Sequence, residues 1–281
     1  MAGVLEHLYM SYKMAFDKFE LDRYPVVPWL HSSNGLVCIS PVDAKLVITN
    51  PLTKELIKLP KFMSISRDSL CWGFGYDSSV DDYKVIVGLE IYDAPTRFVM
   101  FTLKTNTWKQ IGVVNYRNIG SRSAMLCNGA LHRFMKTTNC RNNENKVILS
   151  FDLILNEFKE IPQPDDNNIS LVYKSDGYHK TLGSINGCLC ICDGQRPFHM
   201  WVMKNYNEKE SWEGFPWESG EFRAKSYRFL HQVKLVGDIV SYEITSTLVW
   251  DYVRDPIFLQ TLVSPRHYYN GRPGQKGVQG S

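Results

Sequence analysis

Residues 31–60, HSSNGLVCISPVDAKLVITNPLTKELIKLP, decide the fold. Asn34-Gly35 between short apolar segments is the strongest short-range hairpin signal, because both central residues of a type I′ turn need positive φ. Leu36 to Ile39 leave that turn as an apolar run, a short loop follows, and Leu46 to Ile48 make the next strand. A polar turn, Asn50-Pro51-Leu52-Thr53-Lys54, leads into a last strand over 55–59. Pro60 ends it, since proline has no amide hydrogen to extend a ladder. The stretch predicts one twisted antiparallel sheet in meander order.

The same plan recurs. The closing strands ELIKLP, TWKQIG, EFKEIP and, more weakly, SWEGF place Leu56, Trp108, Phe158 and Trp212 at successive separations of 52, 50 and 54 residues. That spacing matches the ~50 residues of a kelch-type blade. Asn34-Gly35, Asn128-Gly129 and Asn186-Gly187 each sit between short apolar segments, and Gly237-Asp238 takes that place in a fifth unit. The second unit uses a longer connection, 77–82, inside WGFGYDSSVDDYKVIVGL. Each unit supplies four strands, a to d, and no long amphipathic helix interrupts them. The expected fold is all-β, a kelch-like β-propeller of five to six four-stranded blades. Residues 8–13 and 16–21 read as strands, so 1–22 is assigned to an incomplete or closing blade, 23–264 to the propeller and the Gly-, Pro- and Lys/Arg-rich 265–281 to a flexible tail.

Composition narrows the function classes. The chain has 281 residues, 44% hydrophobic, 22% charged and 13% aromatic, a globular balance with many side chains suited to filling space between sheets. A formal charge of +3 is too small to argue for nucleic acid. Seven cysteines occur without a CxxC pair and read as reduced thiols of a cytosolic or nuclear protein, with no zinc site. No apolar run approaches a membrane span, and the first residues lack the pattern of a secretory signal. The sequon Asn168-Ile169-Ser170 therefore has no expected use.

In this order the pieces SSNGLVCIS, LVITNPLTKELIKLP, WGFGYDSSVDDYKVIVGL, FVMFTLKTNTWKQI, CNGALHRF, ILSFDLILNEFKEIP and IFLQTLVSP resemble the plant F-box-associated, kelch-like domain, a broad group that includes S-locus F-box proteins. The resemblance runs from about residue 20 to 265. It implies a domain that follows an F-box helical module and selects target proteins for ubiquitination by an SCF-type cullin ligase. A Skp-type adaptor and cullin are expected as partners only where an F-box lies upstream, because residues 1–20 are too few to form one. The implied setting is the cytoplasm, the nucleus or both.

Meander geometry assigns two ends to each blade. The a–b and c–d turns share one end and are short and stereotyped, which suits structural punctuation. The b–c loops (41–45, 93–97, 137–145, 193–198, 245–246) and the crossovers (61–70, 113–122, 163–180) share the other and vary in length and chemistry. Binding groups on rigid scaffolds concentrate on such loops, and Arg and aromatic side chains dominate protein interfaces. The candidate partner-binding residues are therefore Tyr92, Arg97, Tyr116, Arg141, Tyr173, Arg196, His199 and Trp217. Trp108, Phe158 and Trp212, recurring at blade period, are expected in the core between blades. Asp81-Asp82 reads as a solvated hairpin turn.

No HExxH, GxSxG or spaced His/Asp ligand set occurs, and His31, His132, His179, His199 and His231 fall in different units. The expectation is a non-catalytic binding module without cofactor or metal. The alternatives are a lectin-like propeller for a glycan or small molecule and an F-box-less decoy.

Overall fold

A computed structural model describes residues 29–40, 46–50, 52–61, 70–90, 94–119, 124–138, 146–164, 180–185, 187–193, 199–216, 234–236, 239–241 and 264–268. Four antiparallel sheets follow one another along the chain. Blade I is β1 (Trp29–Ser33), β2 (Leu36–Ser40), β3 (Val47–Asn50) and β4 (Glu55–Lys58). Blade II is β5 (Leu70–Asp77), β6 (Asp82–Leu89), β7 (Thr96–Thr102) and β8 (Thr107–Val114). Blade III contains β9 (Tyr116–Asn118), β10 (Met125–Cys127), β11 (Ala130–Thr137), β12 (Lys146–Asp152) and β13 (Phe158–Ile161). Blade IV is β14 (Lys180–Ile185), β15 (Cys188–Asp193), β16 (His199–Met203) and β17 (Trp212–Pro216). A further pair, β18 (Lys234–Val236) and β19 (Ile239–Ser241), brackets Gly237-Asp238 where a fifth hairpin is expected.

The turns recur because each needs a left-handed residue. Asn34 and Gly35 have φ of 42° and 83°, and Asn128 and Gly129 of 48° and 70°, the type I′ signature. In the c–d turns the left-handed residue is Lys54, Asn106, Asn156 or Asn207, with φ from 52° to 67°. In the first three blades its amide donates to the carbonyl four residues back, at 2.9 Å each, in Asn50, Thr102 and Asp152. The side chains of Asn50 and Asp152 also accept the amide two residues ahead, at 2.8 Å, an Asx turn that closes the corner locally.

The core lies between neighbouring blades. Leu36, Cys38, Ile48 and Ile57 meet Phe74, Tyr83, Val85 and Phe101 between blades I and II. Ile86, Phe98 and Met100 meet Leu131, Met135, Leu149 and Phe151 between II and III, and Phe134, Ile148 and Ile161 meet Leu189, Ile191 and Trp201 between III and IV. Val85 and Ile86 thus serve opposite interfaces, which is why every residue of β6 is buried. Gly75 lets β5 approach blade III, since a Cβ there would lie 2.3 Å from Leu153 Cδ1.

Trp108, Phe158 and Trp212 fill equivalent places in the three interfaces, as their period predicts. The Trp108 indole N–H donates to the Pro60 carbonyl at 3.1 Å and that of Trp212 to the Pro162 carbonyl at 2.9 Å. The Pro that closes one blade is therefore bonded by the tryptophan of the next. Phe158 has no such donor; its ring packs on Phe98 and Phe151 at 4.7 and 4.9 Å and beside Gly112.

Three expectations change or fall outside view. The described part of the crossover 113–122 is mostly strand: β8 reaches Val114, and β9 pairs β11 beside β10, so the inner strand of blade III is split. Backbone bonds from Ile119 to Phe134 and from Thr138 to Asn115 fix that course at 3.1 Å each. Pro265–Tyr268, assigned by composition to the tail, form a helical turn, α1, with Pro265 and Tyr268 buried. Residues 1–22 and 269–281, and the count of blades beyond those named, lie outside the described residues.

Candidate partner-binding surface

At the turn end, backbone and side-chain groups are engaged between blades. The Tyr76 amide donates to Ser33 Oγ at 2.9 Å and the Tyr83 hydroxyl to the Asn34 carbonyl at 2.7 Å, joining blade II to blade I. Burial drives the Tyr83 phenol far above its usual range, so it stays a donor. Lys84 reaches the other way. Its ammonium pairs with Asp77 at 2.6 Å and also donates to the Leu153 carbonyl and, at 2.8 Å, to Asn156 Oδ1 in the c–d turn of blade III. All three protons have acceptors, the condition under which a buried ammonium is tolerated. Burial works to raise the Asp77 carboxyl, but hydrogen bonds from Lys84 and Ser79 outweigh it and hold it below the ordinary carboxylate value.

His132 occupies the same place one blade on, two residues past the hairpin. Its Nδ1 faces the Met125 carbonyl at 3.3 Å and its Nε2 faces the Tyr206 hydroxyl at 2.7 Å. Nδ1 therefore carries the proton and Nε2 accepts from Tyr206, across the III–IV interface. Burial pushes the imidazole down to about 4. These contacts account for His132 as structure rather than catalysis. Asp82, expected to be solvated, is buried; its carboxylate accepts the amides of Tyr83 at 2.7 Å and Lys104 at 3.0 Å, and burial raises its pKa. Asp81 beside it is exposed, as expected.

The loop end differs. Arg97 is exposed on β7, directly opposite Val113 of β8, whose side chain is 55% exposed. Tyr116 follows two residues after β8; its carbonyl accepts Thr96 Oγ1 at 2.6 Å and its hydroxyl donates to Glu160 of β13. That bond, with burial, lifts the phenol to about 12. The Glu90 side chain accepts the Asn118 amide beneath this patch. Two of the eight candidates, Arg97 and Tyr116, are thus brought to one edge of blades II and III. His199 begins β16, at the loop end of blade IV by its pairing with Asp193. Tyr92, Arg141, Tyr173, Arg196 and Trp217 lie outside the described residues.

The structure adds Val113 and Glu160 to the candidate patch. Val113 was legible as an apolar residue in a strand-like run that outlasts its core positions; Glu160 carried no signal, because its partner is 44 residues away. Among the described residues no group of His, Cys, Asp and Glu is arranged to hold a metal ion. A small cavity between blades II and III is lined by Ile86, Phe98, Leu131, Leu149 and Phe151 of the interface core together with the buried Arg133. Cys38, Cys127, Cys188 and Cys190 are not in disulfides, and burial raises the thiols of Cys38 and Cys127. Among the described residues no helix is long and apolar enough to cross a membrane.

Successive four-stranded meanders packed face to face, with stereotyped turns at one end, make this a β-propeller. The chain belongs to the F-box associated beta propeller domain family, whose pattern matches residues 6–249. Three Arabidopsis thaliana relatives illustrate the likeness. F-box/kelch-repeat protein At3g23880 is 31% identical over 204 residues, covering 68% of this chain and 52% of the relative. F-box protein CPR1 is 29% identical, covering 64% and 49%, and F-box protein At3g07870 is 28% identical, covering 64% and 48%. The chain spans about half the length of these curated relatives.

Proposed function

We propose that this propeller is the target-binding part of an F-box protein, and that it presents proteins to an SCF-type cullin ligase through its loop end. The observation that supports this most is the contrast between blade ends. Turn-end donors and acceptors join neighbouring blades, while at the loop end a cation and an apolar side chain, Arg97 and Val113, are cross-strand neighbours facing solvent. Cation beside apolar surface is the chemistry of a protein contact. Arg141 and Arg196, on neighbouring loops by sequence, extend the same basic character. A Skp-type adaptor would be met by the F-box part of the whole protein, in the cytoplasm or nucleus. The test is proximity labelling in plant cells with the domain fused behind an F-box. Proteins labelled by the fusion are expected to lose ubiquitin conjugates when the domain is deleted; labelled proteins whose ubiquitination is indifferent to it would refute the receptor role.

A further inference from the structure

Blades I, III and IV and the β18–β19 pair all turn their first hairpin with two residues, whereas blade II uses four, 78–81. Asp81 sits exposed at the end of this longer turn, at a left-handed φ of 52°. Its carboxylate accepts two phenols on one oxygen, Tyr76 at 2.6 Å and Tyr268 at 3.0 Å. Tyr268 stands edge-on to Tyr83, centroids 5.1 Å apart, with Lys104 Nζ 5.6 Å from its ring centre. Lys104 is held there by the Val80 carbonyl at 2.7 Å and by Asp81. Tyr268 is only 8% exposed, yet the Asp81 and Lys104 side chains around it are 57% and 40% exposed. The phenol therefore enters a notch whose polar rim is open to solvent. It arrives on a preformed turn: Pro265 opens the helical turn and Ser264 Oγ accepts the Arg266 amide at 3.2 Å.

We propose that the notch between blades I and II is a recognition site for a proline-initiated turn bearing an unphosphorylated tyrosine, and that Pro265–Tyr268 is its resident ligand in cis. A partner protein presenting such a turn competes with it. The site has a hydrogen-bond acceptor, an aromatic wall and a cation aimed at one phenol, the combination that favours tyrosine over an aliphatic side chain. Exchanging one phenol for another leaves the blade core intact, because Tyr83 keeps its own bond to Asn34. A phosphate on the incoming tyrosine would face Asp81 and be repelled. This site does not depend on the loop-end reading.

The probe is a fluorescein-labelled peptide of residues 264–268, SPRHY-amide, followed by anisotropy with the full chain. A tethered ligand acts at an effective concentration of about millimolar, so the wild-type chain is expected to bind the free peptide at least ~10-fold more weakly than the vacated Tyr268→Ala chain. A phenylalanine peptide should bind several-fold more weakly than the tyrosine one, and a phosphotyrosine peptide should not bind. Failure of a folded Tyr268→Ala chain to bind, or equal binding of the phosphopeptide, overturns the proposal. If that chain does not fold, trypsin cleavage after the exposed Arg266 reads the contact instead. In Asp81→Ala it should speed up about tenfold, and an unchanged rate overturns the proposal equally.

Discussion

The two ends of blades II and III are built from the same strands and place their side chains differently. At the turn end, β6 sends Lys84 into blade III and Tyr83 into blade I, and the bonded partners are backbone carbonyls, the buried Asp77 carboxylate and the side chain of Asn156 in the blade III turn. At the loop end of the same strands, Arg97 and Val113 face solvent side by side, and the local bonds fix backbone beneath them. Apolar exposure does not separate the ends, because Leu52, Val80, Ile154, Leu155 and Tyr206 are exposed in turns. What separates them is where the large polar side chains go: Tyr83, Lys84 and His132 are buried in bonds to neighbouring blades, whereas Arg97 faces solvent although Thr96 and Glu90 near it bond to blade III. Among the described strands the first hairpins are two residues long except in blade II, where the longer hairpin makes the Tyr268 notch.

The largest test of that contrast is Lys84→Met. It leaves the Asp77 carboxylate buried without its partner and two further acceptors unfilled, and removing one member of a buried pair costs about 3–5 kcal/mol. Denaturant unfolding should show the loss, and Asp77→Leu on the same background should recover part of it. A loss no greater than that of a surface substitution would mean the inter-blade contact is dispensable.

Next comes pH. His132 titrates near 4 when folded and near 6.5 when unfolded, so the unfolded chain binds the extra proton between those values. Its contribution is complete above about pH 6.5 and falls as pH drops toward 4, by up to about 2 kcal/mol between pH 7.5 and 5. The His132→Gln variant should therefore lose less stability over that interval than the wild type. Equal losses would show that the imidazole is not held neutral between blades III and IV.

Gly75→Ala and Gly112→Ala make a matched pair at the II–III interface. The first adds a methyl 2.3 Å from Leu153 Cδ1, the second one 3.5 Å from the Phe158 ring. Overpacking typically costs ~1–3 kcal/mol, so Gly75→Ala should lower the melting temperature and Gly112→Ala should be close to neutral. A smaller effect is expected for Trp212→Phe, which keeps the ring but removes the bond to the Pro162 carbonyl and costs about 1 kcal/mol.

Much of this architecture could be read from the sequence. The spacing of Trp108, Phe158 and Trp212 marked successive blades because each packs at an inter-blade contact, and Asn-Gly located hairpins because left-handed φ admits few residues. Contacts between blades were not legible. DSSVDDYK reads as a solvated turn, yet Lys84 is buried because its acceptors arrive from residues 69 and 72 positions later. SPRHY held a helix-start signal in Ser264-Pro265, masked by the composition that follows it. The loop end was placed by topology alone, which locates Arg97 and Tyr116 but says nothing of Glu160, whose bond joins the first and last strands of blade III across 44 residues of sequence.

If recognition belongs to the loop end and folding to the turn end, the two can be separated by substitution. The most direct measurement combines thermal melting with proximity labelling in plant cells for the F-box fusion carrying Arg97→Glu, Arg141→Glu and Arg196→Glu. Surface substitutions of this kind should leave the melting temperature within about 2 °C of the parent for each change, while the labelled partners are lost. A folded triple variant that still labels the same partners at the same level would mean that recognition does not use the loop-end arginines.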